Sequence, residues 1–447
     1  MPFALRQIVT ARASRLKVQP QPLLTIVTLM TRSEPIKAVR GVRDLMPKDR
    51  ALWRTVEMAA ARVARSFGYE EIVTPILEHT ELIERVGEDT DAGGKELYRF
   101  EDRGGRHLAL RPEATAGVVR AYFEGGLKQG PQPARLYLIG PMFRYNRPQK
   151  GRYRQFFQFD IEAIGAESPA LDAEVIELCS TWLQELGLSD LTLELNSIGD
   201  AKCRPAYLDL LKAYYRPLKD QLHGECQARL ETNPLLLLDC KVPQDQQFKA
   251  KAPRVTDHLC DECAAAWAAV RRLLDAARIL YHLDPHLVRG LDYYTRTVFE
   301  FYPAGPMKAQ GALAAGGRYD GLAEAEGWPA TPGVGFASGL DRVTEQVAAS
   351  GAEVIAAPPA EVVVLADASL EVEAAQVARI CRSVRSVAVD YEPRSLKAKM
   401  RSANKLGARW VVLLSEDEAK RRVAQLRDMA GGEQMEVSWD RLPEGLM

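Results

Sequence analysis

The sequence predicts an α+β fold in which an antiparallel sheet flanked by helices carries a helical insertion and is followed by a smaller α/β domain. Short strand-like runs recur between glycines and prolines up to Gly199 and again after residue 295. Between about residues 200 and 285 the residue pattern becomes typical of helices, with stretches rich in Ala and Leu. From residue 361 onward strand-like and helix-like runs alternate, which is typical of an α/β unit.

Length and charge limit the possible functions. A chain of 447 residues predicts two to three domains, and a hydrophobic content of 47% is enough for a sizeable core. The formal net charge of -1 excludes a generally basic nucleic-acid binder, so any RNA contact must come from local basic patches. No apolar run approaches the roughly 18 residues that a membrane span needs, so we expect no membrane association.

The first domain is predicted to cover residues 34–357, with the insertion at about 200–285, and the second to cover 361–447. The first domain opens with a predicted helix over 49–67, in which the apolar residues follow helical spacing up to Gly68. A predicted strand over 70–73 comes next. Residues 1–33 contain five basic residues and no acid. Two interpretations stay open: an organellar transit peptide, or an extension that is disordered or arises from a start codon upstream of Met30. This segment is excluded from the predicted fold.

The most informative segment is a predicted hairpin formed by strands over 135–143 and 153–164. Between residues 140 and 165 five cations precede the first acid, Asp160. Period-two alternation then places polar side chains on one face of the second strand and Phe157, Phe159 and Ile161 on the other. The pattern predicts a phosphate-binding loop beside a polar pocket. The ordinary alternative is an edge hairpin with a solvated basic tip.

The same segment resembles motif 2 of the class II aminoacyl-tRNA synthetases. Its sequence, FRYNRPQKGRYRQF followed by QFDIE, is similar to motif 2 of the histidyl-tRNA synthetase family. Residues 68–80, GYEEIVTPILEHT, resemble motif 1 with its interface proline at Pro75. Residues 333–342, GVGFASGLDR, resemble motif 3, and three further segments match the family: LRPEATAG at 110–117, LVRGLDYYT at 287–295 and GGRYDGL at 316–322. Together they cover roughly residues 36–447 in the family's order.

The resemblance implies a class II catalytic domain and a C-terminal anticodon-binding domain. It implies an ATP-dependent ligase that forms histidyl-adenylate and then transfers histidine to the 3′ end of tRNA(His), with Mg²⁺ assisting. It further implies a cytoplasmic homodimer. The catalytic residues carried over from the family are Arg144, Arg289 and Arg342, because two anionic groups must meet when a carboxylate attacks the α-phosphate of ATP.

The remaining site residues divide by ligand. An ammonium group needs acceptors and an imidazole needs a partner for its ring N–H, which suits Glu162 together with the Tyr294 hydroxyl. The expected histidine-binding residues are Glu113, Thr115, Gln158, Glu162, Arg289, Tyr293, Tyr294 and Tyr319. The expected ATP-binding residues are Arg144, Arg152, Phe156 and Arg342. Whether Asp160 touches substrate or only supports its neighbours stays open.

Two basic segments are expected to bind tRNA. By resemblance, Arg147, Gln149 and Lys150 in the motif 2 loop contact the acceptor end. In the second domain, residues 393–415 carry six cations and no acid, and we expect Arg394, Lys397 and Arg401 to form an RNA-binding face. A solvated helix face is the alternative for this run.

The seven cysteines, an odd number, fit free thiols in a reducing compartment. Zinc bound by Cys226, Cys240, Cys260 and Cys263, with His258 nearby, is a weaker alternative because only one CxxC pair exists.

The rival function is the synthetase-like regulatory subunit of ATP phosphoribosyltransferase. That subunit typically lacks the C-terminal domain and departs at the arginine of LVRGLDYY, whereas this chain keeps both. One departure from the synthetase family is Asp341, where glutamate is common.

Overall fold

The computed structural model describes residues 35–87, 96–147, 151–289, 293–304, 311–351 and 358–447. The chain divides into two compact units, Met1–Arg40 and Gly41–Met447, and the elements below all belong to the second. The N-terminal segment 1–33 lies outside the described residues, as do Gln149 and Lys150.

An eight-stranded sheet forms the centre of the larger unit. Its strands are ordered β1-β5-β6-β11-β10-β9-β7-β8, and all neighbours are antiparallel except the pairs β1–β5 and β7–β8. The strands of this sheet are β1 (Glu70–Glu71), β5 (Ala134–Phe143), β6 (Gln155–Ile164), β7 (Leu191–Ser197), β8 (His282–Leu283), β9 (Thr295–Pro303), β10 (Ala314–Arg318) and β11 (Gly333–Gly339). The predicted α+β class with a largely antiparallel sheet is confirmed.

Helix α1 (Pro47–Ser66) confirms the first predicted helix. Pro47 suits its first turn because the missing N–H would be unpaired there in any case. Trp53, Val56 and Val63 lie on its buried face and join the main core against the sheet. The strand that follows, β1, is two residues long and therefore shorter than predicted.

The segment up to Gly199, for which we predicted short strands, also contains three helices: α2 (Thr80–Gly87), α3 (Thr115–Glu124) and α4 (Pro169–Glu185). The prediction was wrong for these residues. In α4 the apolar residues recur at helical spacing, so that Val175, Cys179 and Trp182 are buried together. Ser168 caps this helix by accepting a hydrogen bond from the Ala170 N–H at 3.3 Å. Beside α2, a three-stranded sheet has the order β2 (Leu77–His79), β4 (His107–Leu110) and β3 (Tyr98–Glu101).

The insertion is helical, as predicted. It has a core of its own, which includes Tyr207, Leu211 and Leu230 and is shared with Val298 of β9. Its helices are α5 (Arg204–Tyr215), α6 (Gly224–Arg229), α7 (Pro243–Lys249) and α8 (Asp261–Ala276). After β10, the short helix α9 (Leu322–Ala325) precedes β11, and α10 (Leu340–Ala349) follows β11 directly.

The C-terminal elements also follow the predicted alternation. The sheet order is β13-β12-β14-β15-β16, and the first three strands are parallel. The strands are β12 (Val362–Ala366), β13 (Val387–Asp390), β14 (Trp410–Leu414), β15 (Val423–Asp428) and β16 (Gln434–Ser438). The helices are α11 (Glu371–Cys381), α12 (Leu396–Lys405), α13 (Glu416–Arg421) and α14 (Leu442–Gly445).

Candidate active site

Strand β6 places the predicted polar pocket on one face of the sheet. It pairs with β5 on one side and β11 on the other, so it lies inside the sheet. Phe159 and Ile161 enter the main hydrophobic core. Because side chains alternate along a strand, Asp160 and Glu162 point to the opposite face. Both carboxylates are almost completely buried there.

Glu162 is the best-defined acceptor in the pocket. Its carboxylate accepts a hydrogen bond from the Tyr319 hydroxyl. Burial raises its pKa from 4.5 to about 8, and the hydrogen bonds from Tyr319 and Thr115 oppose that rise. A Cβ on Gly335 of the neighbouring strand would lie 2.1 Å from Glu162 Oε2, so only glycine leaves room for this carboxylate.

The three predicted tyrosines lie together in the pocket. The Tyr319 hydroxyl donates to Glu162, a contact that the sequence did not reveal. The Arg289 guanidinium lies over the Tyr294 ring, 5.6 Å from its centroid. Tyr293 packs between the other two, with ring centroids 4.8 Å from Tyr294 and 6.1 Å from Tyr319. The three rings therefore form one wall that joins Glu162 to Arg289.

Glu113 serves the start of helix α3. Its two carboxylate oxygens accept hydrogen bonds from the backbone N–H groups of Thr115 at 3.0 Å and Ala116 at 3.1 Å. The positive end of the helix thereby stabilises the negative charge. Glu113, Asp160 and Glu162 affect one another electrostatically, so that the pocket holds three neighbouring acids.

Two polar groups on β6 have no hydrogen-bond partner among the described residues. They are the side-chain oxygen of Gln158 and both oxygens of Asp160. Burial raises the pKa of Asp160 well above its ordinary value, and the charges of Glu162 and Glu113 raise it further. Buried polar atoms of this kind are costly unless something binds them, which favours direct ligand contact for Gln158 and Asp160.

Arg144 follows β5 and borders the pocket. Its Nε donates to the carbonyl of Pro112 at 2.8 Å, and its guanidinium lies 5.3 Å from the centroid of the Phe156 ring. Burial lowers its pKa, although nearby Glu113 opposes the effect. A neutral carbonyl does not cancel the charge of the guanidinium, so Arg144 can still attract a phosphate.

Arg289 is held by an acid that the sequence analysis missed. Its guanidinium donates to Glu300 of β9, which also accepts a hydrogen bond from the Tyr302 hydroxyl. Burial lowers the pKa of Arg289, but the charge of Glu300 and the neighbouring hydroxyls of Tyr294 and Tyr293 together outweigh burial, and the net pKa is raised. The sequence signal was available: Val298, Glu300 and Tyr302 share one face of a strand whose other face carries two phenylalanines.

Arg342 lies close to the motif 2 loop. It lies in α10, and its guanidinium donates to the carbonyls of Gly151 at 3.2 Å and Ala312 at 3.1 Å. Burial and then the neighbouring charges of Arg152 and Arg144 lower its pKa. Three cations therefore share one region, which favours binding of a polyanion there.

Asp341 does not support Arg342 through a hydrogen bond. Its oxygens accept from Arg43 at 2.7 Å and from the Phe157 N–H at 2.9 Å. Arg43 and Asp341 therefore connect the chain before α1 to β6 and α10.

Sequence reasoning also missed Arg111, whose guanidinium donates to the carbonyl of Pro141 and to the carbonyl and hydroxyl of Thr74.

The expected tRNA contacts are only partly described. Arg147 is exposed at the end of its described segment, and Gln149 and Lys150 lie outside the described residues. In α12, Lys397 and Arg401 are exposed and one helical turn apart. Arg394 is exposed but paired with Asp390 at 2.7 Å.

Lys399 does not contribute to the basic surface. It is buried, and its ammonium donates to the carbonyls of Ala366 at 2.8 Å and Asp390 at 3.1 Å. The six cations of the 393–415 run therefore do not form one face.

The structure contradicts the weaker alternative of one zinc site with four cysteines. Cys260 and Cys263 lie near Asp200 and Cys203, whereas Cys226 and Cys240 lie near Asp245 in a separate cluster. That alternative was wrong because it grouped cysteines by sequence region, and the chain folds them into two places. Within the described ranges, His258 belongs to neither cluster.

Comparisons with known proteins agree over most of the chain. Residues 41–343 match the family model described as histidyl-tRNA synthetase, and residues 360–447 match the anticodon binding domain. A protein named histidine–tRNA ligase from Desulforudis audaxviator is 47% identical over 416 residues, covering 92% of this chain and 98% of that protein. A protein of the same name from Desulforamulus reducens is 46% identical, covering 89% and 96%.

A solved structure is also similar. The crystal structure of apo S. aureus histidyl-tRNA synthetase has a TM-score of 0.78 and 35% identity, with 92% of this chain and 100% of that chain covered. In the part of the chain that the structure describes, no helix combines the length and apolar character needed to cross a membrane.

Proposed function

The chain belongs to the histidyl-tRNA synthetase family, and we propose on that premise that it is an ATP-dependent histidine–tRNA ligase. It activates histidine with ATP to histidyl-adenylate and pyrophosphate and then transfers histidine to the 3′ end of tRNA. The observation that carries this function is the buried Glu162 carboxylate, which shares a wall of tyrosine rings with Arg289. A pocket with an acid at one end and a cation at the other suits an imidazole side chain attached to a carboxylate.

Histidine binding follows from the acceptors in the pocket. We propose that the α-ammonium group donates to Glu113, Thr115 and Gln158. The ring N–H donates to Glu162, with Tyr319 holding the carboxylate in place and Tyr293 and Tyr294 closing the wall. An amino acid without a matching ring donor would leave Glu162 unpaired, and such sites discriminate by roughly 10⁴ to 10⁵.

Adenylate formation requires the histidine carboxylate to approach the α-phosphate in line. Arg289 would bridge the two anions with its planar guanidinium, and Arg144 would hold the α-phosphate. Phe156 would stack on the adenine, while Arg342 and Arg152 would neutralise the outer phosphates. As the carboxylate bonds to the α-phosphorus, the bond from that phosphorus to the α–β bridging oxygen breaks and negative charge builds up on the leaving pyrophosphate, so these arginines would act mainly by electrostatic stabilisation.

Magnesium is part of the proposal as a partner of ATP. Of the acids near the arginines, Asp341 is engaged by Arg43, and Glu300 is engaged by Arg289 and Tyr302. Both of these carboxylates are therefore already paired, and the phosphates would supply most of the protein-independent ligands of the metal. The metal would supply charge neutralisation on the leaving group.

For the transfer step, the 3′-hydroxyl of the terminal ribose of tRNA(His) attacks the acyl carbon of the adenylate. The bond from that carbon to the phosphate oxygen breaks, and AMP leaves with the proton on one of its phosphate oxygens. We propose that Arg147, Gln149 and Lys150 guide the acceptor end. Arg394, Lys397 and Arg401 would contact the anticodon end. The exposed positions of Lys397 and Arg401 support this assignment.

A homodimer in the cytoplasm completes the proposal. Three apolar side chains next to Pro75 support a subunit contact: Val73, Ile76 and Leu77 are all exposed. Exposed apolar side chains of this size in one short segment are typical of an interface. Light scattering on the purified protein would test it, and a monomer at micromolar concentration would contradict it.

The regulatory subunit of ATP phosphoribosyltransferase is less supported. The match to the anticodon binding domain over residues 360–447 is what that subunit typically lacks. The decisive experiment is histidine-dependent exchange of radiolabelled pyrophosphate into ATP. We expect exchange with histidine and none with other amino acids. A folded sample that shows no exchange would refute the proposal that the chain is a histidine–tRNA ligase.

A further inference from the structure

We propose that Asp200, Cys203, Cys260 and Cys263 bind one structural zinc ion in the insertion. This site lies outside the proposed catalytic pocket, and its ligand set differs from the four cysteines that the sequence suggested. One ligand atom from each residue can be chosen so that all four lie within 4.8 Å of one another.

The spacing is close to what tetrahedral zinc requires. With Zn–S bonds of about 2.3 Å, two sulfur ligands of a regular tetrahedron lie about 3.8 Å apart. The four groups therefore need to move by only fractions of an ångström to 1 Å to reach that geometry. Cys203, Cys263 and Asp200 are buried, whereas Cys260 is partly exposed, so a metal could enter from the side of Cys260. Three sulfurs and one oxygen favour zinc over magnesium or calcium, which prefer oxygen ligands.

The backbone brings the sulfurs together. Cys260 is the residue that caps α8, and Cys263 is in the first turn of that helix, where the positive end of the helix favours thiolates. Cys203 stands just before α5. Its sulfur lies so close to Gly199 that a Cβ there would be 2.7 Å from it. Gly199 also has a φ of +66°, and both facts explain why glycine occupies this position.

Neighbouring groups orient the carboxylate ligand. Oδ1 of Asp200 accepts the Lys202 N–H at 3.0 Å and a weak hydrogen bond from the Cys203 thiol at 3.7 Å. Oδ2 accepts from the Arg296 guanidinium at 3.4 and 3.2 Å. Oδ1 is therefore directed toward the sulfurs while Oδ2 is anchored, which is the arrangement found around ligating carboxylates. Arg296 also offsets part of the negative charge of three thiolates and a carboxylate.

The second cysteine cluster does not offer the same site. It has three ligand groups, Cys226, Cys240 and Asp245. Zinc in this cluster would lack a fourth ligand from the described residues, although its carboxylate is oriented in a similar way, with Oδ2 accepting the Cys240 thiol at 3.3 Å and Oδ1 accepting the His223 N–H at 3.0 Å. This cluster therefore serves as the control within the same domain.

The ion would have a structural role close to the histidine pocket. The ligands join the start of the insertion to the start of α8, and Arg296, two residues after Tyr294, is hydrogen-bonded to Gly199 through its backbone N–H at 2.7 Å. The Arg204 guanidinium, next to Cys203, donates to the carbonyl of Tyr294. Zinc would thus fix the segment that carries Tyr294, while four protein ligands would leave no open position for catalysis.

The test is the metal content of full-length protein purified without chelators. We expect about one zinc per chain by plasma mass spectrometry. The Cys260→Ser/Cys263→Ser variant should lose the zinc, whereas Cys226→Ser/Cys240→Ser should keep it. Cobalt substitution of the wild-type protein should give the visible spectrum of a tetrahedral site with thiolate ligands. Chelation should lower the melting temperature of the wild-type protein.

Four results would overturn the proposal. They are a wild-type protein without zinc that also fails to take up cobalt, zinc retained by the Cys260→Ser/Cys263→Ser variant, zinc lost only from the Cys226→Ser/Cys240→Ser variant, and a disulfide between Cys260 and Cys263 in protein free of metal. If the serine variants fail to fold, the wild-type zinc content and cobalt spectrum still decide. None of these measurements depends on aminoacylation.

Discussion

Replacing Glu162 by glutamine should make the protein more stable and much less active. Burial raises the pKa of Glu162 from 4.5 to about 8. The folded chain therefore keeps the proton in a pH range where the unfolded chain has released it, so the wild-type protein loses stability as pH rises from about 4.5 to about 8. One pKa unit corresponds to about 1.4 kcal/mol, so the full loss is of order 5 kcal/mol above pH 8. Glutamine has no ionised form and avoids the loss, and its side-chain oxygen can still accept the Tyr319 hydroxyl.

The assay is urea unfolding at two pH values. The stability gained by Glu162→Gln should be about 1 kcal/mol at pH 5.5 and about 4 kcal/mol at pH 8, so the gain should grow by about 3 kcal/mol between them. Tryptophan fluorescence is a suitable probe because Trp182 is buried with its ring 4.9 Å from that of Phe159, the residue on β6 that precedes the acids. Glu167→Gln, which changes an exposed acid, is the matched control and should show no pH-dependent gain.

The same variant tests the role of Glu162 in substrate binding. Histidine-dependent pyrophosphate exchange should fall at least a hundredfold, because glutamine removes the charged acceptor for the ring N–H. A stability gain that is equal at pH 5.5 and pH 8 would refute the electrostatic reasoning. Near-normal exchange at subsaturating histidine would refute the assignment of Glu162 to the substrate ring.

Three further variants test other parts of the site. Arg289→Ala should reduce pyrophosphate exchange by roughly a hundredfold to a thousandfold while histidine binding by calorimetry stays within about tenfold; near-normal single-turnover activation would refute the bridging role, and Arg289→Lys should recover little because it lacks the planar fork. Gly335→Ala should raise the KM for histidine at least tenfold and lower the free energy of unfolding by roughly 1–3 kcal/mol, because its Cβ would lie 2.1 Å from Glu162 Oε2. The control is Gly339→Ala on the same strand. It should change neither quantity, because no atom lies within 4 Å of its Cβ. Lys397→Ala/Arg401→Ala should weaken tRNA binding and reduce its salt slope by about one per lost phosphate contact without changing pyrophosphate exchange; Lys420→Ala on exposed α13 is the control, and an equal effect of both would argue for a nonspecific charge effect.

Local patterns were the part of the fold that the sequence could predict. The β5–β6 hairpin and α1 follow from alternation and helical spacing within 20 residues, and both are confirmed. Helix α3 was missed because it is short and begins inside the LRPEATAG segment, whose glycine and proline favour strands and turns. Its start depends on Glu113 accepting two backbone N–H groups, an interaction that apolar periodicity does not reveal.

Contacts between distant residues were the part that could not be predicted. Glu300 meets Arg289 from 11 positions further along the chain, and Tyr319 reaches Glu162 across 157 positions of sequence. The two cysteine clusters depend on where α5 and α8 begin in space. Sequence supplied the residue types for these contacts, but the pairing required the packing of the sheet and the insertion.

The charged groups at the two ends of the pocket differ in how they are paired within the protein. At the acid end, Asp160 has no hydrogen-bond partner among the described residues, and Glu162 has only hydroxyl donors, so both remain costly in the folded chain. At the cationic end, Arg144 and Arg342 donate to neutral carbonyls, which orient a guanidinium without cancelling its charge. A ligand that brings an ammonium group and a ring donor to one end and phosphates to the other relieves both costs at once. Free energy lost from stability is in this way regained on binding, which is why the Glu162→Gln variant should be both more stable and less active.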